Sequence, residues 1–322
     1  AANGGVYYAG GGTSIQREAG VTDDPAMMEA YLSTEVGDIV APQTLRAFCE
    51  ESAENFEWLR RHGAPFSPAL YSAKTSYPPL DRFLYHPDSS LAEPFRSLTP
   101  PAARGHRTVR RNGNKPWGLG AGIWEPLRDA ALQRGLVFHP QAEARQLAID
   151  ATGRIIGVRV ERLLDPAVRA EHSRLVGLAN KWMAMLSPTF PGARLTYARG
   201  FKYLARAKAL EATKRESAWV RARRGVVLSA GGFICNPAMV QHFAPHYAAG
   251  LPNGTLGDNG SGIMLGLSAG GATGLMERVS AWRFLSPPRA WGQGMLVDGR
   301  GERYVNETWY GARIGDEMVE RR

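Results

Sequence analysis

Within eight positions the chain gathers Arg303, Asn306, Glu307 and Tyr310: a cation, an amide, a carboxylate and a phenol. That is the inventory of a proton-transfer site, in which one group gives or takes a proton and its neighbours set its pKa. A free phenol has a pKa of about 10, so Tyr310 needs a nearby positive charge or a hydrogen bond to act near neutrality. The same run, from Gly294 to Glu307, reads as a strand, a turn at Asp298-Gly299 and a second strand, which gives half its residues a structural role.

Three other stretches bring backbone amides to where a ligand could approach. Gly4-Gly5 and Gly10-Gly11-Gly12 carry too many glycines for the interior of an element. Ser229-Ala230-Gly231-Gly232 follows the apolar run Val226-Val227-Leu228, as a strand of a nucleotide-binding sheet ends beneath its ligand. Gly257-Asp258-Asn259-Gly260 precedes the apolar helical segment Ile263–Ala269. Three such loops in one chain point to a large, flat, anionic cofactor.

Other chemistries lack their residues. His242 and His246 have the spacing of a two-ligand helix face, but Pro245 between them argues against a continuous helix, so no metal site is expected. There is no G-x-S-x-G nucleophile elbow and no G-x-x-x-x-G-K-[ST] loop. Gly118-x-Gly120-x-Gly122 follows no apolar strand and therefore reads as a loop facing the site, not as a pyrophosphate grip.

The net charge of +9 is spread along the chain with no nucleic-acid-binding signature, so a nucleic-acid partner is not expected. With 44% hydrophobic and 21% charged residues the chain is globular, and 322 residues suffice for about two domains. Two cysteines cannot build a disulfide framework. No apolar run is long enough to span a bilayer, and the cytoplasm is the expected compartment.

The elements that must position these residues follow from pattern and punctuation. Asp23-Asp24-Pro25 starts a helix to about Glu35, and Pro42 starts another to about His62 with Leu45, Cys49, Phe56 and Leu59 on one side. Gly63 to Asn114 is Pro-, Ser- and Arg-rich and reads as an excursion over the surface or a ligand. A helix from about Ile123 to Arg134 leads to a strand at Leu136–Phe138. A hairpin turns at Ala151-Thr152-Gly153-Arg154. Leu163–Ser217 is basic and mostly helical, and it interrupts a connection that could be far shorter. A solvated helical pair is its plain reading, and peripheral contact with an anionic membrane is the functional one.

The run Gly299-Arg300-Gly301-Glu302-Arg303-Tyr304-Val305-Asn306-Glu307 resembles the G-x-G-x-R-F/Y-V-N-E segment of the fumarate reductase and 3-ketosteroid dehydrogenase flavoproteins. Gly4-Gly5, Gly11-Gly12, Arg224–Phe233 and Gly257-Asp258 match in the same order. Gly5–Thr13 and Thr308-Trp309-Tyr310-Gly311 resemble the 3-ketosteroid Δ4-(5α)-dehydrogenase branch in particular.

The resemblance implies an α/β fold: an incomplete Rossmann-like FAD-binding domain over 1–280, carrying the 163–217 insertion, and the start of an α+β catalytic, substrate-capping domain over 281–322. It implies bound FAD, with Gly4, Gly5, Gly11 and Gly12 near the pyrophosphate, ribityl chain and ring, and Ala144 near the adenine. Ser229, Ala230 and Gly231 would lie beneath the nucleotide, with Asp258 close by. Family members begin with a strand, a G-x-G-x-x-G turn and a helix, and end in a glycine-rich segment over the flavin. Neither is in this sequence, so the chain is expected to be an incomplete copy.

The implied reaction removes hydrogen from a CH–CH bond next to a ketone of a 3-ketosteroid-like substrate: the alpha proton goes to a base and a hydride to flavin N5. Tyr310 would handle the proton, with Glu307 and Arg303 tuning it or fixing its loop. Fumarate reductases carry an arginine where Tyr310 stands, which favours a ketone over a small dicarboxylate. The remaining alternative is a non-catalytic fragment or lipid-surface binder. Nothing in the sequence marks the electron acceptor.

Overall fold

The computed structural model describes residues 4–109, 120–183, 185–186, 191–285 and 289–321. The chain begins with β1 (Val6–Tyr8), α1 (Ser14–Glu18), α2 (Pro25–Val36) and α3 (Pro42–Arg61), followed by β2 (Leu70–Lys74), β3 (Leu84–His86), α4 (Phe95–Leu98), β4 (Gly105–Arg107) and α5 (Ala121–Gln133). Next come β5 (Ala142–Ile149), β6 (Ile155–Leu163), α6 (Pro166–Met183), α7 (Ala193–Lys214) and β7 (Arg215–Arg221). The last elements are α8 (Pro237–Phe243), α9 (Ser261–Ser268) and α10 (Gly311–Glu320).

Two compact units share this chain: residues 1–137, 244–250 and 278–322 form one, and 138–243 with 251–277 form the other. The first unit takes in residues from both sides of the boundary expected at 280.

In the first unit, local chemistry sets the helix ends. Asp24 caps α2 by accepting from the Met27 amide at 2.7 Å, with Pro25 in the first turn, and Thr13 and Gln16 close a capping box on α1. The buried stripe of α3, Leu45, Cys49, Ser52, Phe56 and Leu59, has helical spacing. It packs on Met28, Tyr31 and Leu32 of α2 and, further along, on Ala9, Ile15 and Leu84.

The sheet runs β1-β4-β3-β2, antiparallel except for the β2–β3 pair. It lies in the two stretches the sequence reads as loops. β1 sits between the glycine clusters, and β2, β3 and β4 occupy the supposed surface excursion, with β3 and β4 wholly buried. The polar residues of this region are internal: Arg104 and Asp23 are fully buried and paired at 2.7 Å, and His106 donates from Nδ1 to the Arg104 carbonyl and accepts the Thr13 hydroxyl at Nε2. Burial holds the His106 imidazole down at about 4, and therefore neutral.

The second unit carries the antiparallel sheet β5-β6-β7. The expected β5–β6 hairpin is present, closed by Asp150, whose carboxylate takes the Thr152 and Arg154 amides. Helices α6 and α7 form the helical pair expected in the insertion, and Leu163 lies opposite Arg215 in the β6–β7 register, so the pair sits where a tight turn would join the two strands. The helices approach closely at Gly200, where a β-carbon would strike the Met183 side chain and stand 3.1 Å from the Ala179 carbonyl. His172 ties them together through Glu211 at 2.7 Å.

Two expected strands are not formed. Leu136 returns its amide to Ala131 across left-handed Gly135 to close α5, and Leu136 and Val137 are exposed. The segment 224–228 pairs with no described strand, and Val227 is 90% exposed. Among the described residues the only parallel strand pairing is β2 with β3. The α/β class expected from the sequence holds.

Candidate active site

Tyr310 is the N-cap residue of α10 and donates its backbone amide to the Ser89 hydroxyl at 2.9 Å. Its ring meets Trp282 edge-to-face, with centroids 5.1 Å apart. These contacts fix it on the wall of a cavity of about 500 Å³ whose other walls include Tyr8, Tyr31, Tyr77, Tyr85 and Gly4. The cavity is apolar and aromatic, with two carboxylates, Asp88 and Glu35.

Both carboxylates are engaged by phenols. Tyr8 donates to Asp88 at 2.8 Å, and Tyr31 donates to Glu35 at 3.2 Å while accepting the Ser89 amide at 3.0 Å. Burial, then the negative charges of Asp88 and Glu35, push the Tyr310 phenol up to about 12. Tyr8 is raised for the same reasons, burial first and Asp88 next. Burial also raises Glu35, with partial relief from Ser89 and Arg313. The site thus holds its phenols protonated near neutrality, as donors.

A cation stands close to this group. Lys74, at the end of β2, places Nζ 5.7 Å from the Tyr310 ring centroid and donates to the Pro87 carbonyl. Burial lowers its amine to about 8, against the opposing pull of Asp88 and Glu35.

Arg303 and Glu307 meet each other at 2.6 Å, and Glu307 also takes the Leu296 amide at 2.7 Å. Their hydrogen bond and charge hold the Glu307 carboxyl below its ordinary value although burial opposes this. The expected hairpin here reduces to a single bridge, Val297 with Arg303, around a turn capped by Asp298. Glu307 lines a second, smaller cavity of about 260 Å³ together with Lys74, while Tyr310 lines the larger one. Of the three residues expected from the sequence only Tyr310 lines the larger cavity, beside Asp88 and Glu35, which the sequence does not mark, and near Lys74. Lys74, Asp88 and Glu35 come from distant segments, and no local spacing marks them.

The glycines divide by what their amides do. Gly11 and Gly12 have left-handed backbones (φ 74° and 81°), and their amides are taken by Asp23 and Gln16. Gly5 is also left-handed (φ 67°), and its carbonyl accepts from Thr108. Gly4 is exposed and faces the aromatic cavity.

In the second unit Ser229, Ala230 and Gly231 are exposed, and among the described residues no protein group takes their amides. Asp258 stands against Gly231, where a β-carbon would collide with its carboxylate, and accepts the Thr255 amide at 2.7 Å. Gly232 and Asn236 tie this loop to Gly260 and Asn259 at the start of α9. Helix α9 packs on β5, the strand of Ala144.

Gly120 caps α5, while Gly118 of the Gly118-x-Gly120-x-Gly122 run lies outside the described residues. His242 lies in α8, which ends at Phe243, and His246 in a separate short turn of helix. Among the described residues no group of three or more His, Cys, Asp or Glu could hold a metal ion.

The family described as FAD binding domain matches residues 1–321. The 3-oxo-5-alpha-steroid 4-dehydrogenase of Comamonas testosteroni is 31% identical over 329 residues, covering 99% of this chain and 58% of that protein. The 3-ketosteroid-Δ4-(5α)-dehydrogenase of Rhodococcus jostii RHA1, solved with 4-androstene-3,17-dione, superposes with a TM-score of 0.78 at 26% identity, covering 99% of this chain and 56% of that one. A 3-ketosteroid Δ1-dehydrogenase of Sterolibacterium denitrificans, solved with 1,4-androstadiene-3,17-dione, shares the fold at a TM-score of 0.58 and 16% identity, covering 99% of this chain and 58% of that one. The chain thus spans little more than half the length of the relatives it matches. With the family match running over nearly its whole length, the chain belongs to the FAD binding domain family of flavoproteins.

Proposed function

We propose that this chain is part of an FAD-dependent oxidoreductase that dehydrogenates, or in reverse reduces, a CH–CH bond next to a ketone, with a 3-ketosteroid-like substrate. The observation that carries the reading is Tyr310: a phenol fixed on the wall of an aromatic cavity of about 500 Å³. Sites for small, largely apolar ligands have such volumes and linings, with a few polar groups to orient the ligand. The similarity to two Δ4-(5α)-type steroid dehydrogenases supports the substrate class.

The residues present fit the cofactor. In the second unit the exposed amides of Ser229, Ala230 and Gly231 and the carboxylate of Asp258 offer backbone and acidic partners to a nucleotide, and in the first unit Gly4 lines the aromatic cavity. The amides of Gly11 and Gly12 are engaged by Asp23 and Gln16, so on this reading their part is to shape the loop. Bound FAD supplies the hydride acceptor.

The protein's own part is the proton. Tyr310, held protonated, donates to the ketone or, once ionised, takes the alpha proton; a preorganised donor on the developing oxyanion is what makes that proton acidic enough to leave. Arg303 and Glu307 clamp the loop that leads into α10. On this reading residues 1–280 hold the cofactor and 281–322 begin the catalytic part. A small dicarboxylate suits the cavity poorly, because Asp88 and Glu35 would repel it.

The test is an anaerobic visible spectrum of the full-length protein before and after adding a saturated 3-ketosteroid. Bleaching of an oxidised flavin spectrum is expected. A flavin spectrum that the steroid leaves unchanged would reject the substrate class.

The inserted helices support a second part of the proposal, peripheral contact with an anionic membrane. One continuous exposed face of α7 sets Leu195 and Phe201 among Arg194, Lys202 and Lys208. Apolar groups to enter the interface and cations to meet lipid phosphates are what such a helix needs. No described helix is long and apolar enough to cross a membrane. Replacing 164–214 by a short turn between Leu163 and Arg215 is expected to lower binding to phosphatidylserine vesicles about tenfold or more, since each basic residue near such a surface contributes about 1 kcal/mol. Equal binding by the shortened protein would reject the contact.

A further inference from the structure

The chemistry assigned to Tyr310 needs a phenol that can part with its proton, and most of its surroundings oppose that. Asp88 and Glu35 both place negative charge beside it, and burial removes the water that would stabilise a phenolate. The cation near its ring is Lys74, at the end of β2. Lys74 pairs with His86 in the β2–β3 ladder, and Thr75, the next residue, donates its amide to the His86 carbonyl at 3.1 Å. The lysine backbone is thereby fixed, and the Pro87 carbonyl holds its Nζ, which lies 5.7 Å from the centre of the Tyr310 ring.

We propose that Lys74 is a positioning residue for the reaction assigned above: its ammonium, held over the Tyr310 ring by the β2–β3 ladder and the Pro87 carbonyl, is the counter-charge that makes the phenolate of Tyr310 accessible. The inference rests on the reading of Tyr310 as the proton-handling group. A positive charge near a phenol favours its ionised form, and an ammonium 5.7 Å from the ring centre opposes the two carboxylates in that sense.

The groups that face this pair are accounted for. Asp88 and Glu35 stabilise the ammonium and destabilise the phenolate. Each carboxylate is also bound by a phenol, Tyr8 or Tyr31, and each has an arginine nearby, Arg104 for Asp88 and Arg313 for Glu35. Tyr85 lies beside Tyr310 with its own phenol raised, chiefly by burial, and His86 is lowered by burial and held towards neutrality. Because the Lys74 amine is itself lowered to about 8, its charge is full well below that pH and fades above it. On this proposal the charge of Lys74 and the ionisation of Tyr310 are linked.

The experiment is carbon NMR of the full-length, flavin-loaded protein labelled at the ζ-carbon of tyrosine, with the Tyr310 resonance assigned by its loss in Tyr310→Phe. In the native protein this resonance is expected to show a step near pH 8 as Lys74 loses its proton. The step should vanish in Lys74→Met. In Lys74→Arg, whose charge persists at high pH, the phenol should ionise about one pH unit or more below its value in Lys74→Met. Turnover of a saturated 3-ketosteroid at pH 7 should fall about tenfold or more in Lys74→Met, with KM changed less than about twofold, and recover in Lys74→Arg.

A Tyr310 resonance with no step, and with the same ionisation in both variants, would overturn the role of Lys74 even if the steroid is turned over. Coupling in the spectra without turnover of any ketosteroid would instead uphold the pairing and reject the substrate reading.

Discussion

Tyr310→Phe is expected to lower turnover of a saturated 3-ketosteroid by about two to four orders of magnitude, the range that positioned acid–base groups contribute. The substitution keeps the ring and removes one oxygen. The edge-to-face contact with Trp282 and the backbone bond to Ser89 should survive, so circular dichroism and the flavin spectrum should match those of the native protein. The loss should fall on kcat more than on KM, because an aromatic cavity of this kind binds the substrate mainly through its apolar walls. Full turnover in Tyr310→Phe would remove Tyr310 from the chemistry and leave the cavity as a binding site only.

The second large effect concerns stability. Arg104 and Asp23 are fully buried, and Asp23 also takes the Gly11 amide and the Gln16 side chain. Arg104→Met leaves a carboxylate buried without its cation, and removing one partner of such a pair costs about 3 to 5 kcal/mol. Denaturant unfolding should show the loss as a lower midpoint. Adding Asp23→Leu should recover only part of it, since the stranded charge goes but the Gly11 and Gln16 bonds to Asp23 are lost with it. A single variant as stable as the native protein would mean that water reaches Asp23 and that the pair is not sealed.

Where sequence and structure agree, a short-range rule was at work. Asp24 and Pro42 mark helix starts because capping and a fixed proline φ act within one turn. The Asp150–Arg154 turn is legible for the same reason. The strands within the stretch from Gly63, read as an excursion over the surface or a ligand, are not legible because they have three to five residues, too few for alternation to show, while Tyr77, Tyr85 and Asp88 of this stretch line the aromatic cavity. Its buried residues also include His86, Arg104, His106 and Arg107, polar types that only long-range partners make tolerable inside.

The opposite error befell Val226-Val227-Leu228. Composition favours a strand there, but a strand needs a neighbour, and none of the described residues supplies one.

The candidate site shows the same limit. Tyr310, Glu307 and Arg303 form a dense run in the sequence, yet among the three only Arg303 and Glu307 are seen paired. The carboxylates that raise the phenol arrive from α2 and from the segment after β3, and the ammonium near its ring comes from the end of β2. No spacing in the sequence joins them, because the sheet and not the chain brings them together.

The helical pair set at the foot of the β6–β7 ladder bears on the order in which the second unit assembles. The β5–β6 hairpin closes over a five-residue connection and can form early, whereas β7 is reached only after the whole of α6 and α7. Were that intervening chain a random coil, closing it would carry the entropy of a long loop. Two antiparallel helices that pack at Gly200 bring their outer ends back side by side, so the distance β7 must search is that of a turn. A slow, long-range strand pairing thereby becomes a nearly local one, with the helices acting as a splint that forms before the ladder it completes.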